Sequence, residues 1–360
     1  MEQSYDLHTI SLHNSDEISK YTELLKNEWN NNVYYCIAHL QYFKREHETL
    51  EYFLLYKNKV PVILMPFICR IIPGTNHKNE YYDVISPYGY SGPLLKDSVD
   101  AEDLKTFWKL IDQWYKDNNV VSEFVRFSLN GNHENYSGTL IPSLFNIKGN
   151  LVDNFEDQWT LFLSKVRNNF RKAENYNLEF KIYHQDQIKK ELISIFNEIY
   201  VATMHRNNAD SIYFFSKEYF ENLILSNKQN FSLAIAFYEE VPISVELIIN
   251  YEDTIYAYLG GTNADYFSYR PNDFLRVKII EWAIKNGFTK YVLGGGMKDG
   301  DGLYKSKKSL FPKDDDAIFY TGRKIINQKI YDQLSEAKDP RYTSIPIEDL
   351  KNFFFPFYRS

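Results

Sequence analysis

The chain has 360 residues, a formal net charge of −7, and 44% hydrophobic and 25% charged residues. Chains longer than about 250–300 residues usually split into domains, so the length predicts two domains. Tyr, Phe and Trp make up 17% of the chain, which excludes a disordered protein, because such proteins are poor in aromatic residues. The acidic balance argues against binding nucleic acid over the whole surface but permits a local basic patch.

Three features of the sequence bear on where in the cell the protein is located. Two cysteines, Cys36 and Cys69, are too few for a disulfide framework and fit a reducing environment. Residues 1–6 lack the basic start and apolar core of a signal peptide. The longest apolar runs, such as 60–68, fall short of the roughly 20 residues that span a bilayer. The sequence predicts a cytoplasmic protein with no transmembrane segment.

The first third of the chain mixes strands and a helix. Residues 51–56 and 60–68 are predicted as two strands around a Lys57-Asn58-Lys59 turn. Apolar residues at helical spacing predict a helix over 104–115, and 120–129 has β character again. A polar, glycine-containing stretch at 149–153 is then predicted as a domain boundary.

The second part of the chain has a more regular order. Apolar residues at three- and four-residue steps predict one amphipathic helix over 157–175. The elements predicted after it are a strand at 178–182, a helix at 188–199, a hairpin at 231–249, a strand at 254–260, a helix from Pro271 to Asn286, and a strand at 290–293. Antiparallel strands before a crossover helix are compatible with an acetyltransferase-like mixed sheet.

The strongest local signal is a basic segment at 164–172, which carries four basic residues and no acidic one. On a helix, Arg167 and Arg171 lie on one face with Asn168 and Lys172 beside them. Such a face could hold phosphates bidentately. A solvated face with local ion pairs is an equally good interpretation of these residue types.

Two further segments carry polar chemistry. In 204–209, Arg206 is a candidate for binding an anionic acceptor, whereas His205 is more often a structural residue and is not chosen as a base. The run Gly294-Gly295-Gly296 follows a predicted strand, where glycines let the backbone approach a ligand, and a basic stretch follows at 303–311. A flexible turn with solvated lysines is the alternative for this last segment.

Other catalytic arrangements have little support in the sequence. The glycine run does not fit P-loop spacing, which disfavours nucleotide hydrolysis. There is no paired-cysteine zinc spacing, no HExxH and no GxSxG motif. Metal-dependent and covalent-nucleophile mechanisms are therefore poorly supported.

Five passages, taken in order, resemble the FemABX-type branch of the GNAT acyltransferase superfamily, which includes peptidoglycan-bridge aminoacyltransferases. The passages are 82–93, 164–174, 204–215, 259–272 and 293–311. Together they span well over half the chain.

The resemblance implies an α/β fold with mixed sheets and two tandem GNAT-like domains. The first would comprise residues 1–150, with the tail 323–360 packing back on it. The second, catalytic domain would comprise residues 151–322.

The resemblance also implies a catalytic centre near the glycine run. The family pattern there is roughly Gly-Leu-aromatic-x-Phe-Lys, and it matches Lys307 to a lysine near the reacting carbonyl. Ser306 stands where the pattern has an aromatic residue, so the shape of the site beside Lys307 departs from the family pattern. Lys307 or backbone N–H groups around Gly295 would stabilise the oxyanion. Asp83 and Glu246 are candidate general bases.

The remaining implied site residues bind substrate or donor. The candidate substrate-binding residues are Arg167, Arg171, Arg206, Tyr88, Tyr90 and Tyr304. The loop at 86–90 could instead be a set of turns packed by tyrosine rings. The candidate cofactor-binding residues are Arg270, Asn272 and Gly294, although the junction at 269–274 lacks the glycines that usually meet the pyrophosphate of acyl-CoA.

The function implied is N-acyl transfer from acetyl-CoA, or from aminoacyl-tRNA, to an amine. The acceptor would be a small or nucleotide-linked cell-envelope precursor, such as an amino sugar or a peptidoglycan stem peptide. No metal is expected, and tRNA is a partner only if it is the donor. The alternative is a non-catalytic ligand-binding protein on a degenerate GNAT scaffold, which the departure at Ser306 favours.

Overall fold

The computed structural model describes residues 4–73, 80–345 and 352–360. The chain forms two compact units, here called unit 1 and unit 2. Unit 1 comprises residues 1–143 and 318–360, and unit 2 comprises residues 144–317. The domain boundaries given above, after 150 and after 322, stay a prediction. Part of the predicted tail, residues 346–351, lies outside the described residues.

Unit 1 is built on a mixed sheet. Its elements are β1 (Tyr5–Ser11), α1 (Ser15–Trp29), α2 (Ile37–Phe43), β2 (Glu48–Lys57), β3 (Val60–Ile71), β4 (Tyr82–Ile85), β5 (Leu94–Leu95), α3 (Ala101–Asp117) and β6 (Val120–Arg126). The strand order is β1-β2-β3-β4-β6, with β5 pairing β3. Neighbouring strands are antiparallel except β4 and β6, which run parallel. The predicted strand at 120–129 thus ends at Arg126.

Unit 2 is entered through β7. Its elements are β7 (Thr139–Asn150), α4 (Phe155–Leu161), α5 (Ser164–Glu174), β8 (Glu179–His184), α6 (Lys190–Arg206), α7 (Lys217–Ser226), β9 (Phe231–Tyr238), β10 (Val241–Tyr251), β11 (Thr254–Thr262), α8 (Pro271–Lys285), β12 (Lys290–Gly294) and α9 (Gly302–Lys308). The strand order is β8-β9-β10-β11-β12-β7. Only β11 and β12 are a parallel pair.

The chain then returns to unit 1 through β13 (Asp316–Ile325), which pairs antiparallel with β6, and α10 (Gln328–Lys338). Aromatic residues of α10 and of the chain after it form one apolar cluster with residues of the sheet. This cluster includes Tyr331, Tyr342 and Phe357. No helix within the described residues is long and apolar enough to cross a bilayer.

The two units repeat one order of elements. In each, a strand and two helices precede three antiparallel strands, and a helix then leads to a strand parallel to the third. The repeat is not visible as a sequence period, because it resides in topology. The mixed α/β fold class and the tandem arrangement implied by the resemblance are confirmed.

One predicted element is wrong in a way that matters for the site. The single helix predicted over 157–175 is two helices, α4 and α5, because Phe162 and Leu163 have extended backbone torsions. The Phe162 side chain is buried, and the Leu163 N–H donates to Ser309 O at 3.0 Å. Periodicity did not reveal the break, since the apolar residues on both sides of it enter the same core.

Candidate active site

The turn after β12 is built around one carboxylate. Asp301 accepts hydrogen bonds from the N–H groups of Met297, Lys298 and Tyr304, and it caps α9. These backbone donors, that of Tyr304 first, lower its pKa. A Cβ added at Gly296 would lie 2.2 Å from Asp301 Oδ1. The turn therefore requires glycine at this position.

Lys307 lies on α9 with its side chain turned into this turn. Its Nζ donates to Gly295 O at 2.6 Å, and the residue is only 9% exposed. Burial first, and then the Arg276 cation, lower the pKa of Lys307 to about 7, while the Glu246 and Asp301 carboxylates oppose this shift. A lysine that changes charge near neutral pH is typical of a functional site, although structural networks also shift pKa values.

A buried polar network lies in the same unit. Glu246 in β10 is 4% exposed; its Oε1 accepts from the Tyr291 hydroxyl, and its Oε2 lies 3.5 Å from Arg276 Nε. Burial, and then the Glu246 charge, raise the pKa of Tyr291 well above its usual value. Within the described residues, Arg276 Nε and Nη1 have no hydrogen-bond partner.

Sequence reasoning chose Glu246 but missed Arg276 and Tyr291. A signal for Arg276 was present in α8. Arg276 lies four residues before Ile280 and seven before Ala283, and both of these are fully buried. A charged residue on the apolar stripe of a helix indicates a buried charge that needs a partner.

Tyr304 and Ser306 lie on α9 in the same short helix as Lys307. The Tyr304 hydroxyl donates to Asp316 Oδ2 at 2.5 Å, which raises the pKa of Tyr304 to about 12. Lys308 Nζ contacts the other oxygen of Asp316 at 2.8 Å. Ser306, at the position where the family pattern has an aromatic residue, is exposed. The Tyr304 hydroxyl therefore stays protonated near neutral pH. Its role in binding substrate stays a prediction.

Arg206 ends α6 beside the end of β11. Its Nη1 donates to Thr262 O at 2.7 Å, and its guanidinium lies 4.8 Å from the Phe267 ring centroid. Strands β11 and β12 pair in parallel only up to Tyr256 and Val292. The glycine turn thus follows the carboxyl end of β12, and Arg206 contacts the last residue of the adjacent parallel strand β11. Open α/β sheets bind ligands at such strand ends.

Arg167 and Arg171 are engaged locally. Arg167 donates to the carbonyl oxygens of Thr160 and Phe162 at the end of α4, and Arg171 lies 5.6 Å from the Trp159 ring. A guanidinium that satisfies the last carbonyls of a helix has a sufficient structural role. Their binding of phosphate stays a prediction, and the geometry adds no support for it.

The junction before α8 is a poor phosphate cradle. Arg270 has φ +60° and is exposed, as is Asn272. Pro271 at the first helical position has no N–H, and Asp273 adds a negative charge to the first turn. Both features weaken the attraction of a helix N-terminus for anions. Arg270, Asn272 and Gly294, whose φ is +73°, stay predicted donor-binding residues.

The predicted residues of unit 1 form a separate group. Asp83 is buried; Arg70 donates to its Oδ1 at 2.5 Å and Arg359 to its Oδ2 at 2.8 Å. Both oxygens are occupied, which favours a structural role; its role as a base stays a prediction. Tyr88 stacks on Phe43, and Tyr90 packs against other rings of unit 1.

Metal-binding residues and surface grooves are the remaining kinds of candidate site. Within the described ranges, no group of three or more His, Cys, Asp or Glu residues could hold a metal ion. An open groove of about 590 Å³ is lined by apolar and charged residues from the end of α5, the start of β8 and α8. Its lining is Glu174, Asn177, Leu178, Phe180, Phe274, Lys278, Glu281, Trp282 and Lys285. None of the sequence-predicted residues is among them.

Comparison with known families and structures agrees with this picture. Residues 162–306 match the model of the acetyltransferase (GNAT) domain. The structure of FemX is similar with a TM-score of 0.64 and 13% identity, over 92% of this chain and 99% of that one. L-PGS from Bacillus licheniformis is similar with a TM-score of 0.54 and 14% identity, over 88% of this chain and 93% of that one.

Comparison with curated proteins finds no significant match. At such low identities the structural likeness concerns the fold, whereas the domain match concerns the sequence itself. Residues 162–306 are therefore a GNAT acetyltransferase domain, and the chain shares its fold with FemX.

Proposed function

We propose that unit 2 transfers an acyl group to the amine of a cell-envelope precursor, with Lys307 assisting at the reacting carbonyl. The observation that carries the proposal is the buried Lys307 ammonium on Gly295 O, in the glycine turn that directly follows a strand of the GNAT domain. In such a transfer the amine nitrogen bonds to the acyl carbon and the bond to sulfur or oxygen breaks. The amine loses a proton, and the leaving thiol or hydroxyl gains one.

Lys307 supplies positive charge where the oxyanion develops. One of its N–H groups is used by Gly295 O, so its remaining donors are available for the reacting carbonyl. A donor of this kind in a dry site typically contributes about 10²–10³ in rate. Arg206, fixed on Thr262 O at the neighbouring strand end, is the proposed contact for an anionic group of the acceptor.

The donor is the second part of the proposal. Pro271 and Asp273 weaken the usual pyrophosphate site at the start of α8. This favours aminoacyl-tRNA over acetyl-CoA as the donor. The resemblance to the FemABX-type branch, which includes peptidoglycan-bridge aminoacyltransferases, supports a stem peptide or amino sugar as the acceptor.

The deciding experiment supplies both donors. The purified chain is incubated with radiolabelled acetyl-CoA or with charged tRNA, each against a panel of amino sugars and stem peptides, and the product is separated by chromatography. The expected result is labelled amide with one donor, lost in K307M and retained in K305M, since Lys305 is an exposed lysine of the same helix. Acceptor binding with no transfer from either donor would instead support a binding protein on a GNAT scaffold.

A further inference from the structure

The sheet of unit 2 ends in an open strand, β8. Among the described residues β8 pairs with β9 alone, with Glu179 opposite Phe237 and His184 opposite Ser232. Its other side therefore presents backbone N–H and C=O groups to which a further strand can add. The N–H of His184, the last residue of β8, donates to Gln187 Oε1 at 3.0 Å. This contact occupies the end of the strand and leaves its beginning open.

The two faces of β8 carry different side chains. Because side chains alternate along a strand, Phe180 and Ile182 lie on one face and Glu179 and Lys181 on the other. Phe180 and Ile182 pack on the same core as α8 and are only partly buried. Glu179 and Lys181 are 60% and 51% exposed, and Lys181 Nζ lies 3.3 Å from Glu179 Oε2. The open edge thus offers apolar side chains that a further strand would bury.

The two charges on β8 have opposite signs and are two residues apart. Charged residues usually keep an edge strand from pairing, but this pattern complements itself in an antiparallel copy. In the register that centres on Phe180, each Glu179 faces the Lys181 of the other copy, and each Leu178 faces the other Ile182. A register centred on Lys181 would put two lysines directly opposite each other, which is unfavourable. Among the registers of β8 with itself, only the one centred on Phe180 gives both charges an opposite partner.

The groove beside the start of β8 has a matching balance of charge. Its lining includes Phe180 and Trp282, and its charged residues are two carboxylates and two ammonium groups. These four residues are Glu174, Glu281, Lys278 and Lys285. A two-fold axis normal to the sheet keeps α8 of both copies on the same side, so the groove of each copy lies beside the paired strands. A surface that meets its own copy requires such a balance, because like charges across an interface repel.

We propose that the chain forms a two-fold symmetric dimer in which β8 pairs antiparallel with β8 of a second copy, in the register centred on Phe180. The sheet of unit 2 then continues from one copy into the other, and Phe180 packs against its own counterpart at the axis. The strand that fits this edge is a second copy rather than an unrelated peptide, because the order of charges along β8 complements itself. The proposal goes beyond the transfer reaction and requires neither donor nor acceptor.

The test is sedimentation velocity of the whole chain over a range of protein concentrations. The wild type should show a reversible equilibrium between monomer and dimer and no larger species. K181E puts a glutamate opposite Glu179, and E179K puts a lysine opposite Lys181. Each variant should raise the dissociation constant of the dimer about tenfold or more, because two attractive pairs become repulsive. Both side chains are exposed, so the circular dichroism spectrum and the Tm should stay as in the wild type.

Two rescue measurements test the register itself. The double variant E179K/K181E restores both pairs with their signs exchanged and should dimerise as the wild type does. A mixture of E179K and K181E should form a heterodimer, because one copy then carries two lysines at these positions and the other carries two glutamates. A general loss of structure would be rescued in neither measurement, and failure of both rescues would overturn the register.

D6K is the matched control on the end strand of the other unit. β1 is the last strand of the sheet in unit 1, and Asp6 is exposed and lies 2.8 Å from His8. D6K should leave the dimer unchanged. A chain that stays monomeric at every concentration, a dimer that persists in both K181E and E179K, or a dimer lost in D6K would overturn the proposal. Assemblies larger than a dimer would also overturn it, because they would indicate head-to-tail pairing of β1 with β8.

Discussion

Lys307 Nζ donates to the carbonyl oxygen of Gly295 at 2.6 Å, from a helix whose first residues are tied to the same turn by Asp301. Lys307 and Gly295 are 12 positions apart in sequence, yet the cap of α9 holds them together in one structure. The position of the ammonium therefore depends on the backbone of the turn, and the protonation of the ammonium depends on the buried charges near it.

Lys307 is expected to matter for rate rather than for folding. K307M should lower kcat by about 10²–10³, the typical contribution of one oxyanion donor, with circular dichroism and melting temperature near wild type. The methionine keeps the length and apolar stem of the side chain. K305M is the matched control and should retain its rate. Turnover of K307M at the wild-type level would remove Lys307 from the mechanism.

The pH dependence of transfer should report on Lys307. Because burial lowers its pKa to about 7, and the protonated form is the proposed donor, kcat should decline as pH rises through this range. Replacing Arg276 by Met removes a neighbouring cation, so the declining limb should move to higher pH. E246Q removes a neighbouring anion and should move it to lower pH. The measurement is kcat against pH with one acceptor for all variants.

The opposite shifts of R276M and E246Q distinguish an electrostatic effect on the pKa of Lys307 from a loss of folded structure. A variant that merely loosened the fold would lower kcat at every pH without moving the limb in a direction set by the lost charge. Shifts of R276M and E246Q in the same direction would contradict the assignment of the limb to Lys307.

The glycine turn should tolerate no side chain at Gly296. G296A places a Cβ 2.2 Å from Asp301 Oδ1, so it should displace the cap of α9 and cost about 1–3 kcal/mol, as overpacked sites do. Urea unfolding measures this cost. G302A is the control, because nothing lies within 4 Å of a Cβ built there and the backbone is not in the left-handed region. Equal stability of the two variants would contradict this description of the turn.

Asp83 is expected to act on stability. D83N leaves Arg70 and Arg359 without their shared carboxylate, and breaking a buried ion pair in this way costs about 3–5 kcal/mol. D16N, at an exposed ion pair on α1, should cost under about 0.5 kcal/mol. Both follow from urea unfolding. If D83N unfolds like wild type but loses transfer activity, the sequence-based prediction that Asp83 is a base would gain support.

Much of the site could be chosen from sequence because its residues are local. The glycine run, Lys307 and Arg206 lie in short segments whose residue types carry the signal, and the helix from Pro271 shows its ends in its own residues. The split of the predicted helix at 157–175 could not be chosen. Phe162 keeps the apolar spacing, whereas the break depends on a hydrogen bond to Ser309, far along the chain.

The sequence by itself determined the α/β class, most strands and helices, and the segments that resemble the FemABX-type branch, because periodicity and turn residues act over short distances. Only the tertiary structure showed the repeated topology of the two units and the Glu246–Arg276 pair. Burial and charge compensation depend on which strands become neighbours. That pairing brings together residues tens to hundreds of positions apart, and no local pattern records it.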